Sequence, residues 1–229
     1  MSDDTQTQLN WPDFATTRNG WESSTERTNI IRTLGGADML SLLALLVAWM
    51  STLLFLSGES NWAIVVMFGG FICDKLDGYW ARRQESSSKF GRQIDSFIDV
   101  FVYLLPGALL FHLELSSNWV FSTIVGFSIL AFGGLRLVRH NTEGFELTDN
   151  VSYYHGTTIV HTNMVVVLNY VLMSYVGFWN TWFAAVTILL SCPFMISEYR
   201  APKTIGAHVL LTGITAFVAT LCLALEFSL

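Results

Sequence analysis

The sequence predicts an all-α integral membrane protein, and three observations support that fold class. Of the 229 residues, 52% are hydrophobic and 13% are charged, whereas soluble domains carry about a quarter charged residues. Apolar runs of about 20 residues, the length at which a helix crosses the hydrocarbon core, recur along the chain. Lys and Arg residues lie before the first run and in or beside alternate connections between the runs, as in a protein that crosses the membrane repeatedly.

Seven apolar segments are candidate membrane helices. They span residues 38–57, 61–81, 95–115, 119–138, 158–177, 181–197 and 204–226. The stretch before them is polar, and no apolar run follows a basic start, so we expect no signal peptide. The chain is therefore expected to have a polar arm at the cytoplasmic side or interface, a transmembrane domain and an additional C-terminal transmembrane helix. The predicted bounds of these parts are residues 1–34, 35–203 and 204–229.

The charge distribution predicts the orientation. All 12 Lys and Arg residues fall on one side when the seven segments alternate in direction. The opposite connections, residues 57–61, 115–119 and 177–181, contain neither residue type. By the positive-inside rule the basic side is cytoplasmic, which places the N-terminus inside the cell and the C-terminus outside. The net charge of −6 argues against a nucleic-acid partner.

Four aspartates lie where the second and third segments meet at the cytoplasmic face: Asp74, Asp77, Asp95 and Asp99. The first two are three residues apart and the last two are four apart, so each pair lies on one face of its helix. Ionised carboxylates beside hydrocarbon repel one another and are costly to bury, so a cation must offset that cost. Oxygen ligands suit Mg²⁺ or Mn²⁺, and two carboxylates per helix could bridge two ions.

The residues around this acidic cluster predict a phosphate-bearing substrate. Small residues one turn from the aspartates leave room for a bulky ligand, and basic residues near the connection can hold phosphate charge: Arg82, Arg83, Lys89 and Arg92. The reaction that fits is phosphoryl-group transfer, in which metal ions polarise a diphosphate and one aspartate takes the proton from an attacking hydroxyl. The alternative, in which the aspartates only cap helices or pair with basic residues, explains four carboxylates on two consistent faces poorly.

The segment 74–99, DKLDGYWARRQESSSKFGRQIDSFID, resembles the signature D-x2-D-G-x2-A-R-x8-G-x3-D-x3-D of the CDP-alcohol phosphatidyltransferases, with all eight specified residues present. The resemblance implies a six-helix catalytic core, a homodimer and a site for two Mg²⁺ or Mn²⁺ ions. It implies that the metal ligands are Asp74, Asp77, Asp95 and Asp99, with Asp99 also the base that activates the acceptor hydroxyl. It implies that the CDP group is lined by Asp77, Gly78, Ala81, Arg82 and Gly91.

Three further stretches resemble the phosphatidylserine and archaetidylserine synthase branch of this family: GLRLVRHN (134–141), YYHGTTIVHTN (153–163) and FMISEYRAPK (194–203). The resemblance implies transfer from a CDP-lipid to the hydroxyl of L-serine, with release of CMP. Arg136 and Arg139, at the cytoplasmic end of the fourth segment, could receive the carboxylate of an amino acid or could extend to lipid phosphates. Asn141 could contact the substrate or cap the helix.

Other functions remain open at this point. The acceptor could be inositol phosphate or glycerol phosphate, the lipid could have diacyl or archaeal ether chains, and the metal could be Mg²⁺ or Mn²⁺. A transporter or scaffold without catalysis would also have several membrane helices. Against it, the acidic cluster lies at one membrane face, whereas transporter sites usually lie near the midplane.

Overall fold

The computed structural model describes residues 35–83, 89–143, 146–148, 151–202 and 205–228, and the predicted polar arm lies outside them. Within these residues the predicted all-α class is confirmed, because each apolar segment forms a helix. The helices are α1 (Gly36–Leu56), α2 (Ser60–Arg83), α3 (Lys89–Asp99), α4 (Leu105–Leu110), α5 (Trp119–Glu143), α6 (Ile159–Tyr175), α7 (Thr181–Met195) and α8 (Ile205–Ser228).

The third membrane helix is a composite. It begins as α3, continues through a π-helical turn at Val100–Leu104 into α4, and ends in a second π-helical turn at Phe111–Leu115. A π-helical turn changes the direction in which the following side chains point and is frequent at functional sites. The first of these turns follows Asp99 directly and contains the buried Tyr103.

The chain is a multi-pass membrane protein. Within the described part of the chain, four stretches are long and apolar enough to cross a bilayer: Asp38–Leu56, Gly91–Leu115, Trp119–Thr142 and Val209–Phe227. The α6 and α7 helices are apolar but shorter, with 17 and 15 residues. Charged residues in the last third of α2 lower its hydropathy, and they are the residues of the predicted site.

Small residues allow the helices that hold the aspartates to approach closely. A Cβ atom added at Gly70 of α2 would lie 3.5 Å from Val102 of the third membrane helix and 3.8 Å from the backbone oxygen of Ala44 in α1. Close backbone approach at small residues is a common mode of helix packing in membranes. Because α1, α2 and the third membrane helix meet here, the end of α2 and the start of α3 are held side by side.

A small antiparallel sheet joins two connections on the side predicted to be cytoplasmic. It contains β1 (Glu146–Thr148), β2 (Val151–His155) and β3 (Arg200–Pro202), in the order β1-β2-β3. In the pairing of β2 with β3, His155 is opposite Arg200. The sequence predicted no strands, because stretches of three to five residues are too short to show a clear alternating pattern.

The C-terminal helix α8 packs against α2 and α6, and hydrogen bonds hold it near its C-terminal end. The Glu226 carboxylate accepts hydrogen bonds from Asn61 Nδ2 and Trp62 Nε1, each at 3.1 Å. The Tyr170 hydroxyl of α6 donates to Asn61 Oδ1 at 2.8 Å. These contacts lie at the start of α2, about 20 Å along the helix from its aspartates, since a helix rises 1.5 Å per residue.

Candidate active site

Three of the four predicted metal ligands converge. Asp74 of α2 and Asp95 and Asp99 of α3 each offer a carboxylate oxygen, and these oxygens all lie within 4.8 Å of one another. The four-residue spacing in α3 directs both of its aspartates toward α2. Three carboxylate oxygens at such separations fit a hard divalent cation, which prefers oxygen ligands. The donor set therefore matches the divalent ion predicted from the sequence.

The fourth aspartate, Asp77, lies apart from these three and contacts α1. Its side chain is buried, and its Oδ2 accepts a hydrogen bond of 2.5 Å from the hydroxyl of Ser41. Its role as a metal ligand, and with it the presence of a second ion, therefore stays a prediction.

Asp74 has two donors on one oxygen. Tyr103 donates its phenolic hydrogen to Asp74 Oδ2 at 2.7 Å, and Lys75 Nζ lies 3.1 Å from the same oxygen. The Lys75 side chain is 48% exposed, so this ion pair contributes little to stability. Tyr103 is only 2% exposed, which makes its hydroxyl the fixed partner of the carboxylate.

Tyr103 and Ser41 were not predicted from the sequence as residues of the site. A signal for Tyr103 was present, because Asp95, Asp99 and Tyr103 follow one another at intervals of four residues along one helix face. Ser41 lies in a different helix, 36 residues before Asp77, and only the packing of α1 against α2 brings it to the site.

The residues predicted to line the CDP group are only partly described. Gly78 and Gly91 are partly buried next to the aspartates of their helices. The side chains of Ala81 and Arg82, and the connection at 84–88, lie outside the described part of the chain. Their contact with CDP stays a prediction.

The residues predicted to bind the acceptor have three different surroundings. Arg136 is 7% exposed, and its guanidinium has a favourable electrostatic interaction with Asp99. Arg139 donates through Nη1 to the backbone oxygens of Ile196, at 3.0 Å, and Ser197, at 3.2 Å. The Asn141 amide oxygen accepts a hydrogen bond from Ser96, the residue that follows Asp95. Of the two arginines, Arg136 is therefore the better placed to meet an acceptor.

Residues 194–199, the end of α7 and the stretch that follows it, anchor the connection that precedes α6. Gly156 donates its backbone N–H to the oxygen of Tyr199 at 2.7 Å, and Thr157 donates to the oxygen of Phe194 at 3.0 Å. Together with the Arg139 contacts, these bonds bring into one place the three stretches singled out in the sequence, 134–141, 153–163 and 194–203. The connection before α6 is thus held by backbone bonds to the end of α7 and the residues that follow it.

Comparison with known proteins agrees with this geometry. Residues 35–197 match the model of the CDP-alcohol phosphatidyltransferase family. The chain belongs to this family. It is also 28% identical over 172 residues to the archaetidylserine synthase of Methanothermobacter thermautotrophicus, a match that covers 74% of this chain and 70% of that protein.

Family membership fixes the class of reaction. CDP-alcohol phosphatidyltransferases combine a CDP-alcohol donor with an alcohol acceptor, use divalent metal ions and contribute to phospholipid synthesis. This chain is accordingly a membrane transferase of that class, which favours catalysis over the transporter or scaffold alternative. The family match ends at residue 197, so α8 lies beyond it.

Proposed function

We propose that this enzyme transfers the phosphatidyl-type group of a CDP-lipid to the hydroxyl of L-serine and releases CMP. The observation that carries the proposal is the buried guanidinium of Arg136, which interacts with Asp99 at the metal site. A buried, permanently charged group beside the reacting centre suits an acceptor that bears a carboxylate. The similarity to an archaetidylserine synthase supports the same acceptor.

The aspartates take the reacting roles in this proposal. Asp74, Asp77, Asp95 and Asp99 would hold Mg²⁺ or Mn²⁺, which when bound supplies the charge that polarises the diphosphate. Asp99 accepts the proton of the serine hydroxyl, whose oxygen then attacks the lipid-side phosphorus. The bond from that phosphorus to the oxygen bridging the two phosphates breaks, and CMP leaves with the bonding electrons. The proton is then released from Asp99 to solvent.

The charge near the acceptor favours serine over a phosphorylated acceptor. A phosphate monoester carries about two negative charges at neutral pH and would need several cations. Among the described side chains at the end of α5, Arg139 donates to two backbone oxygens, whereas Arg136 is buried and interacts electrostatically with Asp99. One buried guanidinium matches one carboxylate. Inositol phosphate and glycerol phosphate are the acceptors that the experiment has to exclude.

The test is CMP release by the purified protein in lipid or detergent, with Mg²⁺ or Mn²⁺. Both CDP-archaeol and CDP-diacylglycerol serve as donors, with L-serine, inositol phosphate or glycerol phosphate as acceptor and Asp99→Asn as the inactive control. Release that requires serine and disappears in Asp99→Asn supports the proposal. Release with a phosphorylated acceptor instead would keep the reaction class and discard serine, and no release with any pair would contradict the activity itself.

The carboxylate contact has its own test. Ethanolamine has the amine and hydroxyl of serine but no carboxylate, so the wild-type enzyme should prefer serine to ethanolamine. In Arg136→Gln the KM for serine should rise and this preference should shrink, while the KM for the CDP-lipid changes little. An unchanged serine preference in Arg136→Gln would remove Arg136 from the acceptor site.

The proposed enzyme is a homodimer with its active site on the cytoplasmic side. The family resemblance supports the dimer, and the one-sided distribution of Lys and Arg supports the orientation. Cross-linking in native membranes tests the first. Reporter fusions after α7 and after α8, which should report opposite sides of the membrane, test the second.

A further inference from the structure

Two hydroxyl groups outside the family signature contact aspartates of the site. Tyr103 donates to Asp74, and Ser41 donates to Asp77. We propose that Tyr103 and Ser41 are positioning residues that hold these two carboxylates in the orientation in which they bind the divalent ions. This inference rests on the metal site of the proposed function but is independent of the identity of the acceptor.

Tyr103 is itself held rigidly. Its ring is buried and packs edge-on against Phe71, with 6.2 Å between the ring centroids and 77° between the planes. Phe71 and Asp74 are three residues apart on the same face of α2. The third membrane helix therefore contacts α2 through both the ring and the hydroxyl of one residue, so the position of the phenolic oxygen relative to Asp74 is fixed by packing.

The Tyr103 contact leaves part of the carboxylate for a metal ion. Tyr103 donates its one hydroxyl hydrogen to Oδ2 of Asp74, the oxygen that Lys75 also contacts, so the bond from Tyr103 does not use Oδ1. A neutral hydroxyl also orients the carboxylate without cancelling the negative charge that attracts a cation. Partners of this kind orient metal ligands in many proteins.

Ser41 acts on the second carboxylate from another direction. Ser41 and Asp77 are both buried, and the hydroxyl lies 2.5 Å from Asp77 Oδ2. Rotation of the Asp77 side chain would break this bond in a buried setting, where an unpaired polar group is costly. The α1 helix therefore restrains Asp77, as the third membrane helix restrains Asp74.

The chain offers a matched control for each substitution. Tyr103→Phe removes the hydroxyl that contacts Asp74, and Tyr170→Phe removes a tyrosine hydroxyl that binds Asn61 at the other end of α2. Ser41→Ala removes the contact to Asp77. Ser51→Ala removes a buried hydroxyl of the same helix, which binds the backbone oxygen of Ala63 at 2.7 Å.

Two measurements separate positioning from a general loss of stability. The first is the Mn²⁺ or Mg²⁺ concentration that gives half-maximal CMP release. The second is the rise in Tm when the same ion is added to metal-free protein, which needs no substrate. Loss of a hydrogen-bond partner of a metal ligand typically weakens metal binding by about 10- to 100-fold. Tyr103→Phe and Ser41→Ala should need that much more metal in both measurements, whereas both controls keep the wild-type requirement.

The outcomes distinguish this inference from the proposed function. If serine is not the acceptor, the Tm titration still tests positioning, because it involves neither substrate. An unchanged metal requirement in Tyr103→Phe would overturn the role of Tyr103, and the same result in Ser41→Ala would overturn the role of Ser41. If the ions neither raise the Tm of the wild-type protein nor support CMP release, the metal site is wrong and the inference falls with it.

Discussion

Gly156 is the residue whose substitution has the most direct structural consequence. Its φ of +73° lies in the left-handed region that favours glycine. A Cβ atom added there would clash with the backbone oxygen of Met195 and would lie 2.8 Å from the backbone oxygen of Phe194. Both atoms belong to the backbone at the end of α7, so no side-chain rotation can relieve the clash that Gly156→Ala would create.

These distances set the displacement and the free-energy cost that Gly156→Ala causes. Ordinary contact begins at 3.4 Å, so relief of the contact with Phe194 alone requires the connection before α6 to withdraw by about 0.6 Å, and the closer contact with Met195 requires a larger shift. Such a shift would lengthen the 3.0 Å bond from Thr157 N to Phe194 O to about 3.6 Å, beyond hydrogen-bond range. The left-handed conformation costs alanine about 1 kcal/mol, and the lost bond costs about 1 kcal/mol more. A total of about 2 kcal/mol shifts the docking equilibrium of this connection roughly 30-fold.

Hydrogen exchange measures this equilibrium directly, because local opening sets the exchange rate of the amides at 156 and 157. Gly156→Ala should lower the protection of these two amides against exchange by roughly 30-fold. It should also raise the KM for the acceptor more than the KM for the CDP-lipid. Gly58→Ala is the matched control, because Gly58 has a φ of +82° but nothing within 4 Å of its Cβ position. Equal protection of these amides in the wild type and Gly156→Ala would refute the reasoning.

Three further substitutions probe other contacts. Arg139→Gln loses the bonds to the two carbonyls after α7. The hydrogen exchange of the amides at 156 and 157 should therefore become faster and the KM for the acceptor should increase, with serine still preferred to ethanolamine. Loss of that preference would place Arg139 in the acceptor site. Glu226→Gln weakens the attachment of α8 to the start of α2 and should lower stability by about 1 kcal/mol in thermal unfolding without changing the metal requirement. Gly107→Ala would place a Cβ atom 2.9 Å from the amide oxygen of the buried asparagine of α6 and should lower stability by about 1–3 kcal/mol. Gly126→Ala, whose nearest neighbour would be 3.7 Å away, should not.

The positions of the helices could be predicted because the bilayer imposes a length and an apolar composition on each of them. The prediction was least accurate where a helix continues into polar sequence. The third segment was predicted to begin at residue 95, but its helix begins at Lys89, and the fourth was predicted to end at 138, whereas α5 ends at Glu143. Hydropathy does not register these turns, because both contain charged and polar residues.

The acidic cluster could be predicted from spacing within two helices, but its outer contacts could not. The intervals between the aspartates report which residues share a helix face. They contain no information about which other helix packs against that face. Ser41 and the contact it makes with Asp77 depend on the packing of α1, which no local pattern specifies.

Helix periodicity does not predict that the two arginines of α5 have different partners. An interval of three residues places Arg136 and Arg139 on the same side of the helix, separated by about 4.5 Å along its axis. That distance is enough to give them different partners, because Arg136 interacts electrostatically with Asp99 and Arg139 donates to the backbone oxygen of Ile196, just after α7. If the acceptor is serine, the two positions have separable effects: Arg136 determines the preference for a carboxylate, and Arg139 determines how firmly the surrounding segments are held.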